Sequence, residues 1–196
     1  MKINRRDCLA GVATLIGGAS LQACNKEAPE SMINRDLPTS GFTKTSTAEQ
    51  VTEGLDLSGQ VALVTGCNSG LGFETMRVLA LRGAHVLGTG RTLKKAEIAC
   101  AKAPGLATPL ELELTDLDSI RSCAEAVSHL GLTPQVVICN AGINTFGELE
   151  LIKGIEKTFF VNFLGHFVLV NNLLPRMLEN GTGRFVHVSS RSAYKQ

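Results

Sequence analysis

The sequence predicts an α/β fold, a doubly wound parallel sheet with helices on both faces in three αβα layers, on three observations. From Gln60 onward, short apolar runs rich in β-branched residues alternate with longer stretches at helical spacing, the pattern of successive βαβ units. The first of these runs ends in a cluster of glycines that opens a helix. The composition, 44% hydrophobic with 20 glycines and no tryptophan, suits a tightly turned core, and 196 residues are enough for one domain with an appendage.

Taken in order, the chain begins with a basic stretch at Lys2, Arg5 and Arg6 and an apolar run over residues 9–23, the architecture of an export signal. Fifteen or so residues at about 1.5 Å each cannot cross a hydrocarbon core of roughly 30 Å as a helix, which favours processing over a permanent span. The pair Arg5-Arg6 resembles a bacterial twin-arginine signal, and Leu21-Gln22-Ala23-Cys24 resembles a lipoprotein cleavage site. That resemblance makes Cys24 the lipidated mature N-terminus and implies a bacterial, exported protein held at the membrane by lipid, on the periplasmic or cell-surface side. The other reading is an ordinary signal with an incidental cysteine, and a cytoplasmic location remains the alternative. Residues 25–54, rich in Ser, Thr, Glu, Lys and Pro, show no helix or strand period and read as a polar linker.

Residues 55–196 form the predicted domain. Strands are expected at 61–65, 85–88, 108–112, 136–139 and 184–188, with helices filling the gaps and the first of them over 71–81. Ile120, Ala124 and Val127 mark the apolar face of the helix after the third strand. Phe163, Phe167, Val170 and Leu174 lay one apolar stripe along a long helix after the fourth, which Pro175 bends or ends.

The glycine-rich turn reads Thr65-Gly66-Cys67-Asn68-Ser69-Gly70-Leu71-Gly72. Between a strand and a helix, such a turn brings bare backbone N–H groups and the positive helix end to a pyrophosphate. Gly66 permits the tight turn, Gly70 the approach of phosphates, and Gly72 close packing of helix on strand. About 20 residues on, where an enzyme for NAD places a carboxylate, the sequence has Gly88-Thr89-Gly90-Arg91. A guanidinium there can fork onto a 2′-phosphate, which favours NADP(H) over NAD(H); the bland reading of Arg91 is a solvated surface arginine.

The TGxxxGxG spacing resembles the short-chain dehydrogenase/reductase family, and the run from Thr65 to Arg91 is similar to its retinol-dehydrogenase-like branch, which prefers NADP(H). The resemblance implies a Rossmann-type sheet and adds further residues. Glu113 and Leu114 match the pair that borders the adenine, and Asn140-Ala141-Gly142 match the NAG motif against the cofactor. With them, Gly66, Ser69, Gly70, Leu71, Gly72 and Arg91 complete the expected cofactor set. Val161-Asn162-Phe163-Leu164-Gly165-His166-Phe167 resembles a segment whose Asn holds a water of the proton relay, so Asn162 is expected to serve the reaction; its bland reading is a polar side chain bonded to backbone. His166 belongs by the same pattern to packing. Val188-Ser189-Ser190 resembles the family's VSS motif, making Ser190 the catalytic serine that donates to the substrate carbonyl oxygen; His187 and Ser189 read as strand residues.

The family's Tyr and Lys, a dozen or more residues past that serine, are not matched: Tyr194 is the one tyrosine, four residues after Ser190. A positioned proton donor contributes about 10²- to 10⁴-fold, so the 196-residue chain is expected to be an inactive fragment, its sheet cut after the fifth strand and that strand left as an aggregation-prone edge.

Several classes are set aside. A net charge of +1, from 19 basic and 18 acidic residues, offers no field for nucleic acid. Cys67, Cys100, Cys123 and Cys139 sit among apolar residues, and the six cysteines include no CxxC pair or ligand cluster, so no metal is expected. The intact protein is expected to be an NADP(H)-dependent oxidoreductase interconverting an alcohol and a carbonyl on a small hydrophobic substrate, with homo-oligomerisation left open. The alternative is a lipoprotein that binds dinucleotide without catalysis.

Overall fold

The computed structural model describes residues 40–145, 147–181 and 183–190. Arg5, Arg6, Cys8, Cys24, the first part of the expected linker and Tyr194 lie outside the described residues. Two units are distinguished: residues 1–46, 147–149 and 189–196 in one, and 47–146 and 150–188 in the other. In the first, a turn is closed by the Ser46 N–H donating to the Thr43 carbonyl at 3.0 Å. Everything below concerns the second unit unless stated.

Five parallel strands make the main sheet. β1 (Val61–Val64), β2 (His85–Gly90), β3 (Ala107–Glu111), β4 (Val136–Cys139) and β7 (Arg184–His187) stand in the order β3-β2-β1-β4-β7. The chain therefore steps outward to β3, returns across β1 and continues through β4, which makes the boundary between β1 and β4 the point where the order reverses. β1 is the central strand, buried along its whole length because helices cover both faces. Its register runs Val61 to His85 on one side and Ala62 to Val136 on the other.

The helices are α2 (Gly70–Leu81), α3 (Leu93–Cys100), α4 (Leu117–His129) and a long final one. Two cores result. Met76 and Ala80 of α2 and Ala99 and Cys100 of α3 pack on Val64 and Val86 on one face. On the other, Ile120, Ala124 and Val127 of α4 meet Leu63, Leu87 and Val137, as the spacing of those residues predicts. The thiols of Cys67, Cys100, Cys123 and Cys139 are buried and free. Loss of solvent pushes the Cys67 and Cys123 thiols up to about 12, and Cys139 to about 11.

Five features depart from the expectations. Within the segment read as linker, α1 (Ala48–Val51) forms on a capping box in which the Thr47 side chain accepts from the Gln50 N–H and the Gln50 side chain from the Thr47 N–H. It is fastened to α2: Arg77, which pairs within α2 to Glu74 at 2.8 Å, also ion-pairs with Glu49 at 2.6 Å, while Arg82 donates to the Glu49 carbonyl and Thr52 hydroxyl. Second, a hairpin of β5 (Leu151–Ile152) and β6 (Ile155–Glu156) intervenes before the last helix, turning through Lys153 and Gly154, both with positive φ (51° and 81°).

Third, that helix is not uniform. A short α5 (Lys157–Phe159) leads into a π turn (Phe160–Leu164) and then α6 (Gly165–Glu179), with Pro175 inside α6 and the helix running four residues past it. Leu173 and Met177, buried on either side of the proline, hold the continuation in place. Fourth, the buried stripe is Leu169, Leu173 and Met177; Phe163 and Phe167 are more than half exposed and stack on each other, with Phe159 stacked on Phe163. The helix is apolar over most of its circumference, so two stripes were available and packing against α4 selected the other. Last, β7 pairs on one side only among the described residues, and stops at His187, so Ser189 lies past the strand.

Candidate dinucleotide site

A cavity of about 650 Å³ opens at the carboxyl ends of β1, β2, β3 and β4, beside the order reversal. Its floor is the turn after β1. There Gly66 holds φ at +73°, and Gly70, at +59°, starts α2. A Cβ built on Gly72 would stand 2.3 Å from the Gly66 carbonyl oxygen and 2.4 Å from the Asn140 side-chain nitrogen, so α2 packs directly on the turn. Ser69 is the N-cap of α2 but its side chain makes no capping bond, which leaves the first N–H groups of the helix without a side-chain acceptor. Leu71, on that first turn, lines the cavity with its side chain 74% exposed.

Thr65 and Thr89 hold the turn from below. The Gly66 N–H donates to the Thr89 hydroxyl at 3.3 Å and the Cys67 N–H to the Thr89 carbonyl at 2.8 Å. The Thr65 hydroxyl accepts from the Asn140 and Ala141 N–H groups, each at 2.9 Å, and the Asn140 side chain donates to the Thr65 carbonyl at 2.9 Å. The ends of β1 and β4 are thus sewn together across the reversal point. Arg91, exposed, stands on the wall after β2. Glu113 and Leu114 form the wall after β3, the Glu113 carboxylate accepting from the Thr115 N–H and hydroxyl at 3.0 and 2.8 Å.

Of the expected cofactor residues, Gly66, Ser69, Leu71, Gly72, Arg91, Glu113, Leu114, Asn140, Ala141 and Gly142 line this one cavity, and Gly70 lies between two that do. Asn162 clasps the loop after β4: its Oδ1 accepts from the Ile143 N–H and its Nδ2 donates to the Ile143 carbonyl, both at 2.8 Å. Those bonds fill the bland role of a side chain tied to backbone. Ser190 belongs to the other unit and is exposed.

Sequence reasoning passed over Thr89, Thr115, Ile152, Lys157 and Val161, which also line the cavity. The hairpin that brings Ile152 close had a signal, two isoleucines flanking a Lys-Gly turn, and Thr115 sits two residues past a carboxylate it can bond. Thr89 had none beyond its place at a strand end. Lys157 pairs with Glu150 at 2.5 Å, which fixes the start of the last helix beside the hairpin.

The model of the family described as short chain dehydrogenase matches residues 60–196. The chain is 37% identical over 154 residues to the WW domain-containing oxidoreductase of Gallus gallus, covering 75% of this chain and 37% of that protein. It is 35% identical over 144 residues to retinol dehydrogenase 12 of Mus musculus, covering 71% of this chain and 46% of that one. The chain spans less than half the length of either relative. Among solved structures, a metagenomic short-chain oxidoreductase in complex with NADP superposes with a TM-score of 0.60 at 28% identity, over 68% of this chain and 63% of the other. A parallel sheet reversing beside a glycine turn, and a family match that begins at the residue before β1, lead to one assignment: the chain belongs to the short-chain dehydrogenase family.

Proposed function

We propose that the chain is the dinucleotide-binding part of an NADP(H)-dependent oxidoreductase that interconverts an alcohol and a carbonyl on a small hydrophobic substrate. The observation that carries the reading is the cavity at the reversal point, floored by a glycine turn whose helix end is capped by no side chain. A pyrophosphate fits that floor because it accepts from backbone N–H groups and needs the space a Cβ would take. When bound, the nicotinamide supplies or receives a hydride.

The chain's own residues do the rest. Gly66, Ser69, Gly70, Leu71 and Gly72 seat the phosphates; Asn140, Ala141 and Gly142 bear on the cofactor; Glu113 and Leu114 border the adenine. Arg91, carrying no carboxylate beside it in sequence, selects the 2′-phosphate. Asn162 keeps the loop after β4 in place and serves the proton relay, and Ser190, by its VSS context, donates to the substrate oxygen. The family's proton donor, a Tyr–Lys pair, is not matched within these 196 residues.

Titration of the chain with NADPH and NADH, followed by the fluorescence of the reduced nicotinamide, tests the reading. The expected result is a preference for NADPH that Arg91→Ala removes: losing a charge-assisted hydrogen bond weakens NADPH by about 10- to 150-fold and leaves NADH unchanged. Failure of both dinucleotides to bind defeats the proposal. The lipid anchor is a separate proposal, supported by the Leu21-Gln22-Ala23-Cys24 sequence, and metabolic labelling with a fatty acid that is lost in Cys24→Ala tests it.

A further inference from the structure

His166 is buried in α6, only 3% exposed, and its Nε2 lies 2.9 Å from the Thr65 hydroxyl. Which atom donates follows from counting. A threonine hydroxyl has one hydrogen and two lone pairs. Both lone pairs of Thr65 are engaged, by the Asn140 and Ala141 N–H groups at 2.9 Å each. The hydroxyl hydrogen must therefore leave the oxygen, and its acceptors are His166 Nε2 at 2.9 Å and the Ile138 carbonyl at 3.5 Å. An Nε2–H would press a third N–H onto an oxygen with no lone pair left. The ring is then neutral with its hydrogen on Nδ1, and the backbone of Asn162 and Val161 hydrogen-bonds the ring. Burial holds His166 below its ordinary pKa, in keeping with a neutral ring at pH 7.

We propose that His166 is a positioning residue of the dinucleotide site: by accepting the Thr65 hydroxyl hydrogen it fixes that oxygen as the acceptor for the Asn140 and Ala141 amides, and so holds the loop after β4 in its binding form. The relay runs from the backbone of the π turn through the imidazole and the hydroxyl to two amides of the cavity wall. Without His166 the hydroxyl turns to the only other acceptor in reach, Ile138, at a poorer distance, and the oxygen's lone pairs swing off the two amides. The role in binding rests on the dinucleotide reading; the hydrogen-bond assignment does not.

Two measurements on the full chain test it. Ring nitrogen chemical shifts of His166, from ¹⁵N-labelled protein at pH 7.5, are expected to report the Nδ1–H tautomer; an Nε2–H or doubly protonated ring overturns the proposal. Hydrogen exchange at the Asn140 and Ala141 amides and NADPH affinity are then compared in wild type, His166→Gln, His166→Phe and Thr65→Val. Glutamine can accept at the same place, so His166→Gln is expected to keep both, whereas His166→Phe exposes both amides and weakens NADPH about tenfold. Adding Thr65→Val to His166→Phe should cost little more, since both act on one oxygen. Wild-type protection and affinity in a folded His166→Phe protein, or additive losses, overturn the proposal. If wild type binds no dinucleotide, the cofactor reading falls, and the tautomer and amide protection still decide whether His166 holds the loop.

Discussion

Gly72 shows how little latitude single positions in the floor of the cavity have. The place of its missing side chain is taken by the Gly66 carbonyl and by the Asn140 side-chain amide, which is held to the Thr65 carbonyl. Gly72→Ala is expected to lower stability by about 1–3 kcal/mol, as overpacking does, and to displace Asn140 from Thr65, measured as a drop in Tm together with at least tenfold weaker NADPH binding. The buried thiols give a second check. With Cys67 and Cys123 held near 12, they carry almost no thiolate at pH 8, so a thiol reagent should label Cys67, Cys100, Cys123 and Cys139 only once denaturant opens the core. Wholesale labelling of the native protein would contradict the packing of both faces. At this scale the sequence was informative where a residue type has one use, as with glycines in a βα turn. It was silent on Thr65 and Thr89, because a threonine at a strand end looks the same whether or not its hydroxyl organises a loop.

Elements were legible in proportion to how strongly one period dominated. The five strands and α2 stand within a residue or two of their expected bounds, and α3 and α4 fall in the gaps where helices were expected, since each has one apolar face or one apolar run. The last helix had too much apolar surface for its pattern to name a buried side, and so Leu169, Leu173 and Met177 face the core in place of the phenylalanine stripe. α1 was hidden in a polar stretch because a single turn has no period; only its Thr47-x-x-Gln50 cap betrays it. Its attachment to α2 is one partly exposed ion pair, Arg77–Glu49, worth about 1 kcal/mol or less, and two Arg82 hydrogen bonds. Arg77→Ala is therefore expected to leave Tm within a few degrees of wild type while cleavage by a protease within residues 48–55 becomes several-fold faster, with the β-sheet domain left intact. Unchanged cleavage would mean that Arg82 alone holds α1.

For the molecule as a whole, stability should have an acid and an alkaline limb. His166 and His85 are held below their ordinary 6.5 by burial, so below that pH the unfolded chain takes up protons that the native one refuses. Stability is then fully present above about 6.5 and falls as the pH drops through the histidine range. The buried thiols act in reverse: their native values lie above the ordinary 9.0, so above pH 9 the unfolded chain ionises first and stability falls again. Tm measured at pH 5.5, 7.5 and 10 should be highest at 7.5, and His166→Gln should blunt the acid loss. The parallel, doubly wound sheet was readable from alternation and right-handed crossovers, whereas the hairpin before the last helix left only two isoleucines flanking a Lys-Gly turn, since two-residue strands lie below the length at which alternation shows. Among the described residues β7 pairs only with β4, and Val186 and Val188 are substantially exposed there, so self-association with rising concentration is expected. Light scattering of wild type against Val186→Lys, a charge placed on that strand, should show the difference.

The π turn is one residue more than an α-helix needs for the same advance, and such a surplus behaves like a phase setting. Inserting one more amino acid within residues 160–164, where that surplus is already taken up, would rotate α5 by about 100° relative to α6. Asn162 would swing away from Ile143, and Lys157 would leave Glu150, although every side chain after the insertion kept its seat. Substitution on the outward phenylalanines should be tolerated far more readily in this segment than any change in its length.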